Sequence, residues 1–265
     1  MAFRARVALF IGTWGQNHNH RNDFSELLKL AKNSAFEVIN SPDNYELYKI
    51  EGNPHDSYRK LFLEDGDNSS ESILDRKYGK DVGSGTTHPI SDDASAGYLG
   101  GATKKFADMF LDLNELPITH SETIFEGYGT VESEFKNRDP RMTATLQVPG
   151  RKYIYASTHG KYEEAPISFR GISSTKTGYR VWKYISELPG IFHGLAYFDA
   201  KLLRFAEVLL IYAEATFELD GKISDTDLDI SINKIRSRVD MPKLTNSFVN
   251  EFGLDMREEI RREND

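Results

Sequence analysis

The feature that most constrains the fold of this chain is the stretch LLRFAEVLLIYAEATFELDG at residues 202–221. Apolar side chains occur on nearly every side of a helix between Phe205 and Phe217, which is typical of a helix buried inside a larger core. Gly221 follows at the position where a left-handed C-cap would end such a helix. We therefore predict a buried helix over residues 201–219.

Shorter helical patterns lie towards both ends of the chain. Residues 2–14 and the segment DFSELLKLAKNSAFEVINS, which starts at Asp23, predict two helices joined by a polar link. Three further segments predict helices: TKKFADMFLDLN, TDLDISINKIRSRV and LDMREEIRRE. Leu202 and Arg236 are separated by one tetratricopeptide-like period of about 34 residues. The predicted fold is mainly α, with tetratricopeptide-like helical hairpins forming a scaffold, long irregular loops and a few short strands.

The middle of the chain has little periodicity. Residues 79–101 are rich in Gly, Ser, Thr and Asp, which favours a loop, and residues 117–200 contain only short β-like runs such as RMTATLQV and RKYIYAS. We predict a single, incomplete domain of residues 1–265. Its helical scaffold covers about 1–62, 102–114 and 201–265, and its loop-rich ligand face covers about 63–101 and 115–200. Long irregular segments in a compact domain often carry function.

Composition excludes several classes of function. The formal net charge of −8 argues against a general binder of nucleic acid, which needs a basic face. The chain has no cysteine, so disulfides, zinc–thiolate sites and a catalytic cysteine are excluded. His18 and His20 form a pair without a third metal ligand, and we expect no metal and no cofactor. Helical patterns run to both ends without caps or a signal peptide, so we expect a fragment trimmed at both ends.

The acidic residues of the apolar stretch invite a catalytic interpretation. Glu207 and Glu214 are two turns apart, about 10.5 Å along a helix axis, close to the separation of the carboxyl pair in glycoside hydrolases. Their neighbours are Val, Leu and Ile rather than a sugar-binding cleft, and the run is too short and too charged to span a membrane. We interpret Arg204, Glu207, Glu214 and Arg236 as structural. Each acid is expected to cap a loop or pair with an arginine from a neighbouring helix, the candidates being Arg236, Arg238, Arg257, Arg261 and Arg262.

Aromatic side chains are dense in the irregular parts. Flat rings stack on sugar rings and other amphipathic ligands. An alternative role is to pin long loops to the helices. Our candidate ligand-binding residues are Trp14, Tyr98, Tyr128, Tyr155 and Trp182.

A set of motifs occurs in one order along the chain: ARVALFIGTW, SYRKLFLEDGDNSSESILDRKYG, TKKFADMFLD, NRDPRMTATLQVPG, GYRVWKYI, RFAEVLLIYAEATFELDG, INKIRSRVDMPKL and LDMREEIRRE. Together they resemble the SusD/RagB family, the surface glycan-binding lipoproteins of Bacteroidetes. The resemblance covers nearly the whole chain, and its last three motifs resemble the C-terminal part of the family.

The resemblance implies a non-catalytic protein at the cell outer membrane, exposed on the surface. Such a protein captures an oligosaccharide and delivers it to a SusC-like TonB-dependent transporter, and it meets the membrane only through a lipid anchor, which this sequence lacks. Two alternatives stay open. One is a helical-repeat scaffold that binds a protein or peptide, and the other is a glycoside hydrolase that uses acids such as Asp92, Asp93 or Glu163.

Overall fold

The computed structural model of the chain describes residues 1–18, 22–79, 86–96, 101–148, 152–154, 162–164, 177–188 and 194–264. Over these residues the fold is mainly helical with a few short strands, which confirms the predicted fold class. The helices are α1 Ala2–His18, α2 Phe24–Ile39, α3 Pro54–Lys60, a 3-10 turn Glu64–Gly66, α4 Ile90–Ala96, α5 Lys104–Met109, α6 Val131–Phe135, α7 Pro140–Thr145, α8 Phe205–Asp220, α9 Asp225–Asp229, α10 Ile232–Ser237, α11 Asn246–Glu251 and α12 Met256–Asn264.

The strands form two-stranded sheets. They are β1 Ser72–Arg76, β2 Gly101–Ala102, β3 Lys152–Ile154, β4 Tyr162–Glu164, β5 Tyr179–Arg180 and β6 Ala200–Arg204. β1 pairs with β6, β2 with β5 and β3 with β4. Gly101 lies opposite Arg180, and Tyr153 lies opposite Glu163, both in antiparallel register.

The chain divides into two compact units. Unit 1 contains residues 1–48, 68–75 and 201–265, and unit 2 contains residues 49–67 and 76–200. Of the expected helical scaffold, residues 1–48 and 201–265 lie in unit 1, whereas residues 49–62 and 102–114 lie in unit 2.

Unit 1 is a stack of helices around α8. Buried residues face α8 from several directions, so the nearly continuous apolar run of this helix is covered. The side of α1 that is buried carries small residues, and its neighbours are α2 and α8. A Cβ atom added at Gly12 would lie 3.1 Å from a side-chain carbon of Leu28, so α1 and α2 approach closely at this point. Small residues on α1 thus set the spacing of the first helical pair.

Unit 2 is built from short helices and turns around small apolar clusters. One cluster joins Ala107, Met142 and Leu146, and another joins Leu63, Ala196 and Phe198. Because each cluster is small, hydrogen bonds from buried polar side chains hold much of the remaining backbone in place.

The structure corrects several expected boundaries. The helix predicted from residue 201 starts at Phe205, because residues 200–204 form β6 and the Phe205 N–H donates to the Glu71 carbonyl. Its C-terminus agrees with the prediction, since Gly221 is left-handed with φ 65°. The helix predicted after Asp225 is broken near Ser231 into α9 and α10.

Two segments of unit 2 also differ from expectation. The β-like run RMTATLQV lies mostly in helix α7, because Asp139 caps the helix and Pro140 occupies its first turn. The expected loop over residues 79–101 contains the short helix α4.

Candidate functional site

The acidic side chains of Glu207 and Glu214 in α8 accept hydrogen bonds from other residues of unit 1. The Glu207 carboxylate accepts from Arg6 Nε at 2.5 Å, and Arg6 also donates to the Leu202 carbonyl. The side-chain hydrogen bond to Glu207 raises the pKa of Arg6 above its ordinary value. Glu214 accepts from Asn264 Nδ2 at 2.8 Å. The partner of Glu207 therefore comes from α1 and was not among the five arginines that we considered.

A second charged group is centred on Glu71, which is fully buried. Its carboxylate accepts from Arg204 and from Arg238, at 3.0 Å in each case, and from the backbone N–H of Tyr48 at 2.8 Å. These donors come from three separated parts of the chain, so one buried carboxylate ties them together. Arg236, the last of the expected structural residues, donates to Glu263 at 2.7 Å with both side chains buried.

Of the five aromatic candidates, the three that the structure describes differ in their surroundings. Trp14 lies on α1 in unit 1 and is exposed, whereas Trp182 lies in unit 2 with only 3% of its surface exposed. The Arg59 guanidinium covers the Trp182 ring at 4.2 Å from its centroid. Tyr98 and Tyr155 lie outside the described residues. The assignment of these residues as ligand contacts stays a prediction.

Tyr128 is the candidate that combines exposure with a defined polar setting. The residue is 48% exposed and lies between Gly127 and Gly129. The phenol donates to Asp108 Oδ1 at 2.6 Å, and the Lys104 ammonium, bonded to Asp108 Oδ2, lies 3.7 Å from the ring centroid. Phe125 meets the ring edge-to-face at 5.1 Å between centroids. The site therefore presents an oriented aromatic ring with a cation over it and an anion at its hydroxyl group.

The contacts of Tyr128 and Lys104 shift the pKa values of both side chains. Partial burial raises the pKa of Tyr128, and the hydrogen bond to Asp108 raises it further. Slight burial lowers the pKa of Lys104, but its hydrogen bonds outweigh this, so the pKa lies above the ordinary value. At neutral pH the phenol is therefore a neutral hydrogen-bond donor and the lysine is charged.

The base of this loop is fixed by the buried carboxylate of Asp112. Oδ1 accepts from the backbone N–H groups of Asn114 and Leu116, and Oδ2 accepts from Thr123 Oγ1 and the N–H of Ile124, all within 2.9 Å. A carboxylate that accepts from four donors joins the two segments at the base of the loop, 114–116 and 123–124. The loop that carries Tyr128 is therefore anchored although it lacks regular secondary structure.

Sequence reasoning missed the residues that position Tyr128, namely Lys104, Asp108 and Phe125. The lysine and the aspartate are four residues apart on α5, a spacing that predicts an ion pair on one helix face. Nothing local indicates that Tyr128, 20 residues further along the chain, joins that pair.

Two structural features bear on other functions. Among the described residues, no group of three or more His, Cys, Asp or Glu side chains is arranged to hold a metal ion. In the same part of the chain, no helix is both long enough and apolar enough to cross a lipid bilayer.

A model of the SusD family matches residues 63–265 of this sequence. The match includes the Tyr128 loop, Glu71 and the whole of α8. The chain therefore belongs to the SusD family. A search of curated proteins finds no match to the chain.

Solved structures share the fold. The chain matches a SusD-like protein from Bacteroides fragilis NCTC 9343 with 22% identity and a TM-score of 0.67, over 99% of this chain and 50% of that one. A SusD-like carbohydrate binding protein from the same strain matches with 19% identity and a TM-score of 0.63, over 98% and 48%. A structure with a xylogluco-oligosaccharide matches with 18% identity and a TM-score of 0.56, over 99% and 48%. The chain spans about half the length of the solved structures that it matches.

Proposed function

We propose that this chain belongs to a protein that binds an oligosaccharide at the bacterial outer membrane, without catalysis, and delivers it to a SusC-like TonB-dependent transporter. Membership of the SusD family supports the proposal. One matched structure is a carbohydrate binding protein and another contains a xylogluco-oligosaccharide, which makes a glycan the first ligand class to test here.

The observation that carries the proposal is the exposed, oriented ring of Tyr128. An aromatic face can cover the apolar face of a pyranose, while neighbouring charged and amide groups accept or donate to its hydroxyls. Such groups are present at Tyr128, because Asp108 accepts from the phenol and the Lys104 ammonium lies over the ring, 3.7 Å from its centroid. We assign Tyr128 as a ligand contact.

The hydrogen bonds of the candidate acidic residues support a non-catalytic role. The pair Glu207 and Glu214 is bonded within the helical unit. Asp92 Oδ2 accepts from the Gly194 backbone N–H at 2.6 Å, a contact that organises a loop. Glycoside hydrolysis needs two carboxyl groups that flank one bond, and these contacts use the carboxylates for structure instead.

Titration calorimetry against oligosaccharides cut from xyloglucan, starch and other polysaccharides tests the proposal. Tyr128→Ala should lower the affinity for the bound sugar about five- to 150-fold, because stacking on an aromatic ring contributes about 1–3 kcal/mol. Tyr128→Phe should keep most of the affinity, because the aromatic ring remains. Phe36→Ala is the matched control, because Phe36 is 46% exposed on α2 in unit 1 and should not affect binding.

Three outcomes would contradict the proposal. One is the absence of binding to every saccharide, both by this chain and by the full polypeptide that its gene encodes. Another is slow hydrolysis of a polysaccharide that is abolished by Asp92→Asn or Asp93→Asn. A third is the failure of the full polypeptide that the gene encodes to co-purify with a co-expressed SusC-like TonB-dependent transporter, which would contradict the proposed delivery step.

A further inference from the structure

The charged groups that contact or flank Tyr128 are paired with one another. Lys104 and Asp108 bond at 2.6 Å, one helical turn apart on α5, and each also contacts Tyr128. Glu126, two residues before Tyr128, pairs with Lys136 at 2.7 Å. Each pair joins one positive and one negative charge, so these four residues together bring no net charge to the site.

A second layer of charges is balanced in the same way. Arg138 is 4% exposed, lies 4.8 Å from the centroid of the Phe125 ring and donates to two backbone carbonyls. Its guanidinium also interacts with the charge of Glu134, whose carboxylate accepts from the Tyr179 phenol. One cation and one carboxylate therefore add no net charge to the surroundings of the two aromatic rings.

The polar atoms at Tyr128 place an acceptor next to a donor. The phenol gives its proton to Asp108 Oδ1, so its oxygen accepts from a ligand. The Lys104 ammonium has three N–H groups, and one of them bonds Asp108 Oδ2. A hydroxyl group can donate to the phenol and accept from the ammonium. A carboxylate only accepts and an ammonium only donates, so a charged group satisfies one of these partners and opposes the other.

The Lys104 ammonium also covers part of the ring surface that a sugar would use. It lies 3.7 Å from the ring centroid, within the range of a cation–π contact. A sugar that stacks on this face moves the ammonium aside, and the bond to Asp108 keeps the lysine charge paired when this happens. A charged sugar instead competes for one member of the ion pair and leaves the other member without its partner.

We propose that the Tyr128 site selects uncharged saccharides and discriminates against saccharides that carry carboxylate, sulfate or amino groups. This inference rests on the proposed function, because it concerns the ligand of the same aromatic ring. Asp108 disfavours an anionic sugar by like-charge repulsion, and Lys104 disfavours a cationic sugar in the same way. The ion pair on α5 is therefore the feature that determines specificity.

Matched pairs of oligosaccharides that differ in charge test the inference on the full polypeptide that the gene encodes. Galacturonan oligosaccharides are compared with their methyl esters, and de-N-acetylated chitin oligosaccharides with their N-acetylated forms. Starch oligosaccharides are compared with forms whose C6 alcohols are oxidised to carboxylates. In each pair that binds, calorimetry at low salt should show the uncharged member binding about tenfold more tightly. The affinity of the uncharged member should not depend on the concentration of NaCl.

Two variants that each remove one charge should change this selectivity in opposite directions. Asp108→Asn keeps an acceptor for the phenol but leaves the Lys104 charge unpaired, so the affinity ratio of anionic to uncharged saccharide should rise about tenfold at low salt. Lys104→Met keeps the length of the side chain but leaves the Asp108 charge unpaired, so the ratio of cationic to uncharged saccharide should rise similarly. Asp229→Asn is the matched control, because Asp229 forms the same kind of exposed pair with Lys243 at 3.0 Å in unit 1 and should alter neither ratio.

The outcomes separate this inference from the proposed function. If a charged saccharide binds wild type at least as tightly as its uncharged counterpart, the inference is overturned and the proposed function stands. Unchanged affinity ratios in folded Asp108→Asn or in folded Lys104→Met would overturn it as well, and the wild-type comparison decides if neither variant folds. Absence of binding to every saccharide is the different result that would remove the proposed function, and the inference with it.

Discussion

Helix α8 and the loop around Tyr128 use the same kinds of side chain in opposite ways. In α8, Glu207 and Glu214 are bonded to other parts of unit 1 among buried apolar residues. In the loop, Asp108 and Lys104 hold a tyrosine whose ring stays half exposed. The comparison teaches that the most conspicuous sequence pattern belongs to the scaffold, whereas the candidate ligand contact lies in a segment without periodicity.

The largest effect on the scaffold side of this comparison is expected at Glu71. Glu71→Gln keeps the side-chain shape but leaves the buried Arg238 and the partly buried Arg204 without their shared carboxylate. Breaking a buried ion pair in this way costs about 3 kcal/mol or more. Urea denaturation should show this loss, and glycan affinity should be unchanged in the fraction that remains folded.

The exposed Glu46 provides the control for that measurement. Glu46→Gln should leave the free energy of unfolding within about 0.5 kcal/mol of wild type. Equal stability of Glu71→Gln and wild type would refute the structural role of the buried carboxylate.

An intermediate effect is expected in the loop, where two glycines flank Tyr128. Gly127 has φ 84°, and its carbonyl accepts from Ser133 Oγ at 2.9 Å. Among the described atoms none lies within 4 Å of a Cβ added at Gly127 or at Gly129. Gly127→Ala should therefore cost about 1–2 kcal/mol of backbone strain alone, and lower glycan affinity by up to about tenfold.

Gly129→Ala is the paired control, since Gly129 does not have a positive φ. It should leave affinity unchanged and should not lower the melting temperature. If both variants bind glycan as wild type does, the turn that orients Tyr128 is not part of the ligand face.

The smallest effect is expected at Glu214, whose carboxylate accepts from Asn264 near the surface. Glu214→Gln should reduce stability by about 0.5 kcal/mol, which corresponds to about 1–2 °C in melting temperature. Thermal unfolding and calorimetry on the same preparation check this. If Glu214→Gln lost glycan binding at unchanged stability, Glu214 would belong to the binding site and not to the scaffold.

Local signals in the sequence predicted much of the scaffold. The all-round apolar pattern of α8 and the C-cap at Gly221 depend on neighbouring residues only, and both were predicted. The start of α8 was predicted too early, because β6 forms by pairing with β1 more than a hundred residues away. In α7, threonines favoured a strand, but the Asp139 cap and Pro140 decide the structure locally.

Long-range partners could not be predicted in the same way. Arg6 is 201 residues from Glu207, and Glu71 is 133 residues from Arg204, so no periodicity joins them. Tyr128 was chosen for its residue type and its place in a loop. Its bond to Asp108 depends on how the chain returns to α5, which one sequence does not specify.

The close approach of α1 and α2 limits which substitutions α1 can accept. A methyl group at Gly12 already presses on Leu28, so larger residues at the glycines and alanines would push the two helices apart. Phe3, Val7 and Phe10 have freedom to exchange with other apolar residues of similar bulk. The smallest side chains of α1 are therefore the ones that mutation can least replace, because they line its contact with α2.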